Sequence, residues 1–281
     1  DNDVGSIIET NKEFNVSDVK NYFTLGYPSA LSKVVSYASL EEGVRTTAYS
    51  HERIIILETM GMHAGWLALS SGLAAPDFII LPEFPLDYDD FCNKLVQLYQ
   101  SQKHAIVVIA EGARLKGANY ISANEDEMDD FGNPRFGGSS YALRDMLKRD
   151  LKMYLNTRNI NAVNPSYLYR SGMPNKLDFS IAQKAGYMAV DLLSKNHVSE
   201  HILLATKYDD DKMSIEPISL NKFNRTKNGR FPKRYVDKRF YDPNRYKITS
   251  SGEKYLNPIY NYSTKDSRKD NMGYINLIKR Q

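Results

Sequence analysis

The stretch that most constrains this chain is Arg53 to Ala74, RIIILETMGMHAGWLALSSGLA, which reads as strand, turn and helix. The apolar, mostly β-branched run Ile54, Ile55, Ile56, Leu57 closes on an acid, Glu58. The chain then turns through Met60, Gly61 and His63 to Gly65 before an apolar helix from about Ala64 to Leu73. In open parallel sheets, ligands sit beyond the carboxyl ends of strands, where helix N-termini present unpaired N–H groups. A strand that delivers an acid and a glycine turn to that edge is equipped to build a site. The same glycines also suit an ordinary βα turn whose only task is close packing.

The neighbouring sequence repeats the unit. Asp77 to Leu81 (DFIIL) reads as a second buried strand ending at Pro82 and Glu83. Asp87 is placed to cap a helix with Tyr88, Phe91, Leu95 and Tyr99 on one face. Ala105 to Ala110 (AIVVIA) is a third strand, and it too ends on an acid, Glu111. Strands alternating with helices of about a dozen residues predict parallel βαβ units and a layered α/β domain. Upstream, Asp18 to Tyr37 has apolar residues at helical spacing broken near Gly26 and Pro28, so two short helices or one kinked helix are expected. Downstream, Ala123 to Gly138 is acidic and aperiodic and reads as a solvated surface loop, without the ligand spacing of a calcium loop. Ser139 or Ser140 then caps a helix aligning Leu143, Leu147, Leu151 and Tyr154. A short strand is expected over Asn159 to Val163, followed by a turn-rich stretch bearing Tyr167, Arg170 and Lys176. Ile181, Ala185, Met188 and Leu192 mark a further helix, and His201 to Thr206 and Lys212 to Ile218 supply two more strands.

Charge divides the chain. From Lys222 onward there are 16 Lys/Arg against 5 Asp/Glu, net +11, while the upstream part is −8. The basic residues are interleaved with Phe231, Tyr235, Phe240, Tyr241, Tyr246, Tyr255 and Tyr260. Residues 1–221 are therefore expected to form the α/β region, and residues 222–281 an irregular, basic, aromatic-rich extension that packs rather than a nucleic-acid arm. No apolar run approaches the length of a bilayer span, so no membrane partner is expected. A lone cysteine, Cys92, cannot form an intramolecular disulfide; it suits a reducing, cytoplasmic setting as core filler. The opening Asp1-Asn2-Asp3, with no initiator methionine, looks like the downstream part of a longer polypeptide. Zinc-type Cys/His spacing, a Gly-x-Ser-x-Gly elbow and a Walker loop are all missing from this sequence, which argues against metal or serine hydrolysis.

Three strand-end acids (Glu58, Glu83, Glu111) and the Asp1/Asp3 pair would converge on one crevice if those strands are neighbours. Arg53, Arg158, Arg170 and Lys176 would bring positive charge. Guanidinium forks match phosphate oxygens, while carboxylates act as bases, hold magnesium or grip sugar hydroxyls. Together they point to a phosphorylated, hydroxyl-bearing ligand, although any one of these acids could simply cap a helix or pair with a lysine.

In order along the chain, these residues resemble the phosphofructokinases, in the downstream part of their fold. Asp1-Asn2-Asp3 resembles the end of the family's Thr-Ile-Asp-Asn-Asp segment. Ser50-His51-Glu52-Arg53 is similar to its Ser-His-Gln-Arg segment, and Glu58, Met60, Gly61, Ala64 and Gly65 match its Glu-x-Met-Gly-Arg-x-Ala-Gly block. Pro82-Glu83 ends the next strand, the acid after an apolar strand falls on Glu111, and an aromatic-x-x-Arg clamp falls on Tyr167 and Arg170. The resemblance implies a three-layer parallel-sheet fold and phosphoryl transfer to the 1-hydroxyl of fructose 6-phosphate. It implies Asp1 as general base and Asp3 as the acid that holds Mg2+ or orients the base. Met60, Gly61, Glu111 and Arg170 would contact the sugar phosphate, with Tyr167 beside its phosphate. Arg53 and Arg158 would reach across a subunit interface, implying a homo-oligomer, a dimer or a tetramer.

The sequence departs from the family at one position of that block. Met62 stands where the family has arginine, and His63 or a lysine would have to replace that charge. The donor, ATP or pyrophosphate, is left open; the stretch Arg170 to Asp178 resembles the long and pyrophosphate-dependent branches. Met62 and the basic extension also fit a second reading, a non-catalytic or regulatory sugar-phosphate-binding subunit of the same fold.

Overall fold

The computed structural model describes residues 26–39, 43–117, 120–121, 123–128, 134–136, 138–195, 202–209, 212–219 and 234–264. In chain order these form helix α1 (Tyr27–Ala38), α2 (Val44–Ser50), strand β1 (Ile54–Thr59) and α3 (Trp66–Ser70), which tightens into a 3-10 turn (Ser71–Ala74). Next come β2 (Phe78–Ile80), α4 (Tyr88–Gln102), β3 (Ala105–Ala110), β4 (Ala123–Met128), β5 (Pro134–Phe136) and α5 (Ser139–Asp150). A 3-10 turn (Thr157–Asn159) leads into β6 (Ile160–Val163), and a second (Ser166–Arg170) precedes α6 (Lys176–Ser194). The remaining elements are β7 (Ile202–Asp209), β8 (Lys212–Ser219), β9 (Tyr241–Asp242), β10 (Lys247–Ile248) and α7 (Ser250–Thr264).

Four strands form one sheet in the order β2-β3-β1-β6, with every pairing parallel. The two central strands are buried at all six positions because both faces are covered, which is why they read as unbroken apolar runs. Ile55, Leu57, Ile106 and Val108 point into a cluster with Leu31 and Val35 of α1 and Ala68 and Leu69 of α3. Ile54, Ile56, Val107 and Ile109 face Phe91 and Leu95 of α4 and Leu143 and Leu147 of α5. Each such aliphatic side chain stabilises the fold by about 1.5–3 kcal/mol relative to exposure. The result is the expected three-layer α/β arrangement.

Several local expectations change. The apolar spacing near Gly26 and Pro28 resolves into the start of α1, with proline in its first turn, where a missing N–H costs nothing; residues 18–25 of the expected helix lie outside the described residues. α2 follows although its sequence, VRTTAYS, has no apolar period, and Ala48 is its one buried residue. The expected helix from Ala64 is shorter, starting at Trp66. The acidic stretch after Ala123 is an antiparallel pair, β4 with β5, rather than a loop. The helix after it ends at Asp150, leaving Tyr154 66% exposed.

Residues 234–264 are more regular than their interrupted pattern suggests, and they pack on the same chain's sheet. The Trp66 indole donates to the Arg234 carbonyl at 2.7 Å, and the ring lies against Phe240 and Tyr255. Ile79 N donates to the Tyr246 carbonyl at 2.8 Å, and the Tyr241 hydroxyl donates to the Ile79 carbonyl. These contacts cover the β2 edge, which would otherwise present unpaired backbone groups. α6 is different: of its 19 residues only Leu177 is fully buried, and Tyr187, Val190 and Leu193 are largely exposed. Among the described residues no helix is long and apolar enough to cross a membrane.

Candidate functional site

The connections out of β1 and β3 leave on opposite faces of the sheet. β1 runs into α3, packed on the α1 side, whereas β3 leads on to α5 on the α4 side. Adjacent parallel strands whose crossovers diverge open a crevice beyond their carboxyl ends, the usual place for a ligand in an open α/β sheet. The turns bordering it are residues 60–65 after β1, the turn beginning at Glu111 after β3, and residues 164–171 after β6.

Glu58, the acid that ends the apolar run, is buried, 4% exposed. Its Oε2 accepts from the Ser140 backbone N–H at 2.8 Å and from the Ser140 hydroxyl at 2.7 Å. A carboxylate at the start of α5 complements the positive end of the helix dipole. Ser139 is also drawn inward, its hydroxyl donating to the Glu111 carbonyl at 2.5 Å. Neither serine caps α5 as expected from sequence; Gly138, at φ +93°, holds the N-cap position. Both hydroxyls are turned to donate to tertiary acceptors, the Glu111 carbonyl and the Glu58 carboxylate, rather than to accept from N–H groups of the first turn.

Glu111 sits beside Glu58 and closes the turn after β1. Its Oε1 accepts from Gly61 N at 2.9 Å, while Glu111 N donates to the Thr59 carbonyl at 2.9 Å and Gly112 N to the Gly61 carbonyl at 3.2 Å. Gly61 is at φ +143°, a conformation that favours glycine, and a Cβ there would lie 2.7 Å from the Ala64 carbonyl oxygen. A Cβ on Gly112 would meet the Met62 carbonyl oxygen at 1.9 Å, so the two turns are in backbone contact. Burial raises the Glu111 pKa above the usual carboxylate value; the Gly61 N–H opposes that rise, Glu58 adds to it and Arg170 opposes it. Arg170 is therefore close enough for its charge to be felt at Glu111.

The third border is the five-residue turn Ser166–Arg170, which begins with Ser166 at φ +48°. Tyr169 anchors it: the ring is fully buried, it meets the Tyr37 ring in a T-shaped contact at 5.5 Å between centroids, and its hydroxyl donates to the Glu58 carbonyl at 2.9 Å. Tyr167 and Arg170 flank that anchor and stay outside, Tyr167 70% exposed with the Arg170 guanidinium carbon 5.2 Å from its ring centre. Sequence reasoning passed over Tyr169 and Gly112 and read Ser140 only as a helix cap; no period or motif marks them as part of the site, and only the fold brings them under the crevice.

The candidates thus fall into separate places. Met60, Gly61, Glu111, Tyr167 and Arg170 gather at the carboxyl edge. Arg53 and Arg158 lie at the opposite edge, just before the paired residues Ile54 and Ile160. A six-residue strand separates the two edges by about 20 Å, so within one chain these arginines do not meet the carboxyl-edge group. Arg158 is exposed in its 3-10 turn. Glu83 stands apart from the crevice acids: Oε1 accepts from Gly65 N at 3.0 Å and from Val236 N at 2.8 Å, tying the C-terminal segment to the start of α3. Asp1 and Asp3 lie outside the described residues. Among the described residues no group of three or more His, Cys, Asp or Glu is arranged to hold a metal, so magnesium has no cage there. A groove of about 770 Å³ runs along α6 past Phe179, Ile181, Tyr187 and Val190; its apolar lining does not suit a sugar phosphate.

Comparison with known proteins finds phosphofructokinases. The pyrophosphate–fructose 6-phosphate 1-phosphotransferase of Dictyoglomus thermophilum is 39% identical over 173 residues, 61% of this chain and 48% of that protein. The ATP-dependent 6-phosphofructokinase of Corynebacterium efficiens is 33% identical over 169 residues, 59% of this chain and 46% of that protein. The chain spans about half the length of the curated relatives it matches. In fold it is similar to the solved pyrophosphate-dependent phosphofructokinase of Marinobacter aquaeolei, with a TM-score of 0.65 at 21% identity over 84% of this chain and 55% of that one. The phosphofructokinase family model matches residues 17–193, more than half of the 281 residues and including every border of the crevice, and the chain therefore belongs to the phosphofructokinase family.

Proposed function

We propose that this chain supplies the acceptor side of a phosphofructokinase, in which a phosphoryl group is transferred to the 1-hydroxyl of fructose 6-phosphate to give fructose 1,6-bisphosphate. The observation that carries the reading is the gathering of Arg170, Tyr167, Glu111 and the Met60–Gly61 turn at one carboxyl-edge crevice in a member of this family. Arg170 brings a fork for phosphate oxygens, and Glu111 a half-buried carboxylate for sugar hydroxyls. Arg53 and Arg158, at the far edge, would serve the crevice of a neighbouring subunit in a homo-oligomer, a dimer or a tetramer. Asp1 takes the proton of the 1-hydroxyl as its oxygen attacks the terminal phosphorus of the donor, and the remainder of the donor leaves. Such transfer depends on positioning and charge neutralisation more than on covalent help.

Magnesium is assigned to Asp3. Pyrophosphate is favoured over ATP as donor, on the resemblance of the Arg170 to Asp178 stretch and the name of the Dictyoglomus relative. Residues 1–221 form the sugar-phosphate-binding part, which alone does not complete the enzyme, residues 222–281 form the extension, and the single cysteine is in keeping with a cytoplasmic setting. Met62, in place of the family arginine, favours a second reading, a non-catalytic sugar-phosphate-binding subunit. The variant Asp1→Ser in the natural polypeptide separates the two. Under the first reading it abolishes most turnover while fructose 6-phosphate still binds. Unchanged turnover would remove Asp1 as the base, and an inactive wild type that still binds the sugar would favour the second reading.

A further inference from the structure

We propose that Lys33, on α1, is a positioning residue that holds the Tyr167–Arg170 turn in its substrate-ready form. Its Nζ donates to the Leu168 carbonyl at 2.9 Å and also to the Ser171 carbonyl. Those two carbonyls bracket Arg170, so one ammonium group closes the backbone on both sides of the arginine. A five-residue 3-10 turn is too short to hold itself, and its last carbonyls have no partner within the turn. A cation at that end satisfies them and complements the local dipole. Gly172, at φ +93°, turns the chain back immediately afterwards, and a Cβ there would sit 3.5 Å from Nζ.

The platform is rigid while the turn is not self-supporting. Lys33 is flanked by Leu31, Val34 and Val35, all buried in the core. Tyr167 and Leu168, in contrast, are 70% and 55% exposed, and Tyr169 is the turn's one buried side chain. Tyr169 fixes the turn from beneath and Lys33 fixes it from the side. Burial lowers the Lys33 pKa without the group losing its two acceptors.

This inference rests on the fructose 6-phosphate reading, and two measurements on the natural polypeptide keep them separable. Lys33→Met is expected to raise the KM for fructose 6-phosphate about tenfold, with kcat within about twofold, the pattern of lost ground-state binding. Lys33→Arg restores most of that loss, and thermal melting changes little. Independently of activity, hydrogen exchange across residues 166–171 accelerates in Lys33→Met. Unchanged exchange overturns the inference, as does accelerated exchange with an unaltered KM. If the wild type neither binds nor turns over the sugar phosphate, the functional reading fails, while the exchange result still decides whether Lys33 holds the turn.

Discussion

Replacing Glu58 tests whether the acid that ends the central strand supports the crevice or contacts the ligand. Its Oε2 accepts two hydrogen bonds from Ser140, at 2.8 and 2.7 Å, and both residues are buried. Glu58→Ala removes that acceptor and leaves a backbone N–H and a hydroxyl without a partner, at about 1–3 kcal/mol each. The lost complement to the α5 dipole adds about 0.3–1 kcal/mol. A destabilisation of about 2–7 kcal/mol follows. Glu58→Gln keeps an amide oxygen in place for both donors and should cost only about 1–2 kcal/mol, the difference between charged and neutral acceptors. Ser140→Ala in combination with Glu58→Ala should be non-additive, because both changes remove the hydroxyl–carboxylate bond. Chemical denaturation at neutral pH measures these differences, and fructose 6-phosphate binding is followed alongside. A fully stable Glu58→Ala protein that no longer binds the sugar phosphate would refute the supporting role and make Glu58 a ligand contact.

Other consequences are equally concrete. Gly61→Ala, at φ +143° and 2.7 Å from the Ala64 carbonyl oxygen, should cost about 1–3 kcal/mol and weaken sugar-phosphate binding; a fully stable variant with normal binding would contradict the turn geometry. Because burial raises the folded-state pKa of Glu111, its contribution favours the fold below the usual glutamate value and is lost as pH rises through the raised value. Thermal melts from pH 4 to 7 should therefore fall off less steeply for Glu111→Gln than for the wild type, and identical slopes would exclude the shift. Cys92, buried with its thiol pushed up to about 11, should resist thiol reagents until the fold opens, and rapid labelling of the native protein would contradict its packing.

What the sequence reveals and conceals here has physical causes. β1, β3 and α4 are legible almost to the residue: strands covered on both faces must be continuously apolar, and Asp87 announces its helix with a side chain that accepts from Asp90 N at 3.3 Å. α2 is hidden because its helical form depends on its neighbours rather than on any apolar stripe. The pair β4–β5 is hidden because ANEDEM lacks the apolar alternation by which a half-buried strand is recognised. Ser139 and Ser140 mislead for a different reason. Their local chemistry is that of caps, but Glu58 at the end of β1 and the Glu111 carbonyl just after β3 draw their hydroxyls away from the helix end as donors. Within the site, the residues with recognisable chemistry, Glu111 and Arg170, are visible, while those that contact or anchor the Arg170 turn, Tyr169 and Lys33, are not. Lys33 lies 135 residues from the Leu168 carbonyl it binds, and nothing in either local sequence indicates the pairing.

The most direct test of the acceptor-side assignment is turnover of fructose 6-phosphate by the natural polypeptide with magnesium, run in parallel with pyrophosphate and with ATP. The assignment predicts fructose 1,6-bisphosphate with one of the two donors, pyrophosphate favoured, and loss of that product in Asp1→Ser. Absence of product with both donors would contradict it.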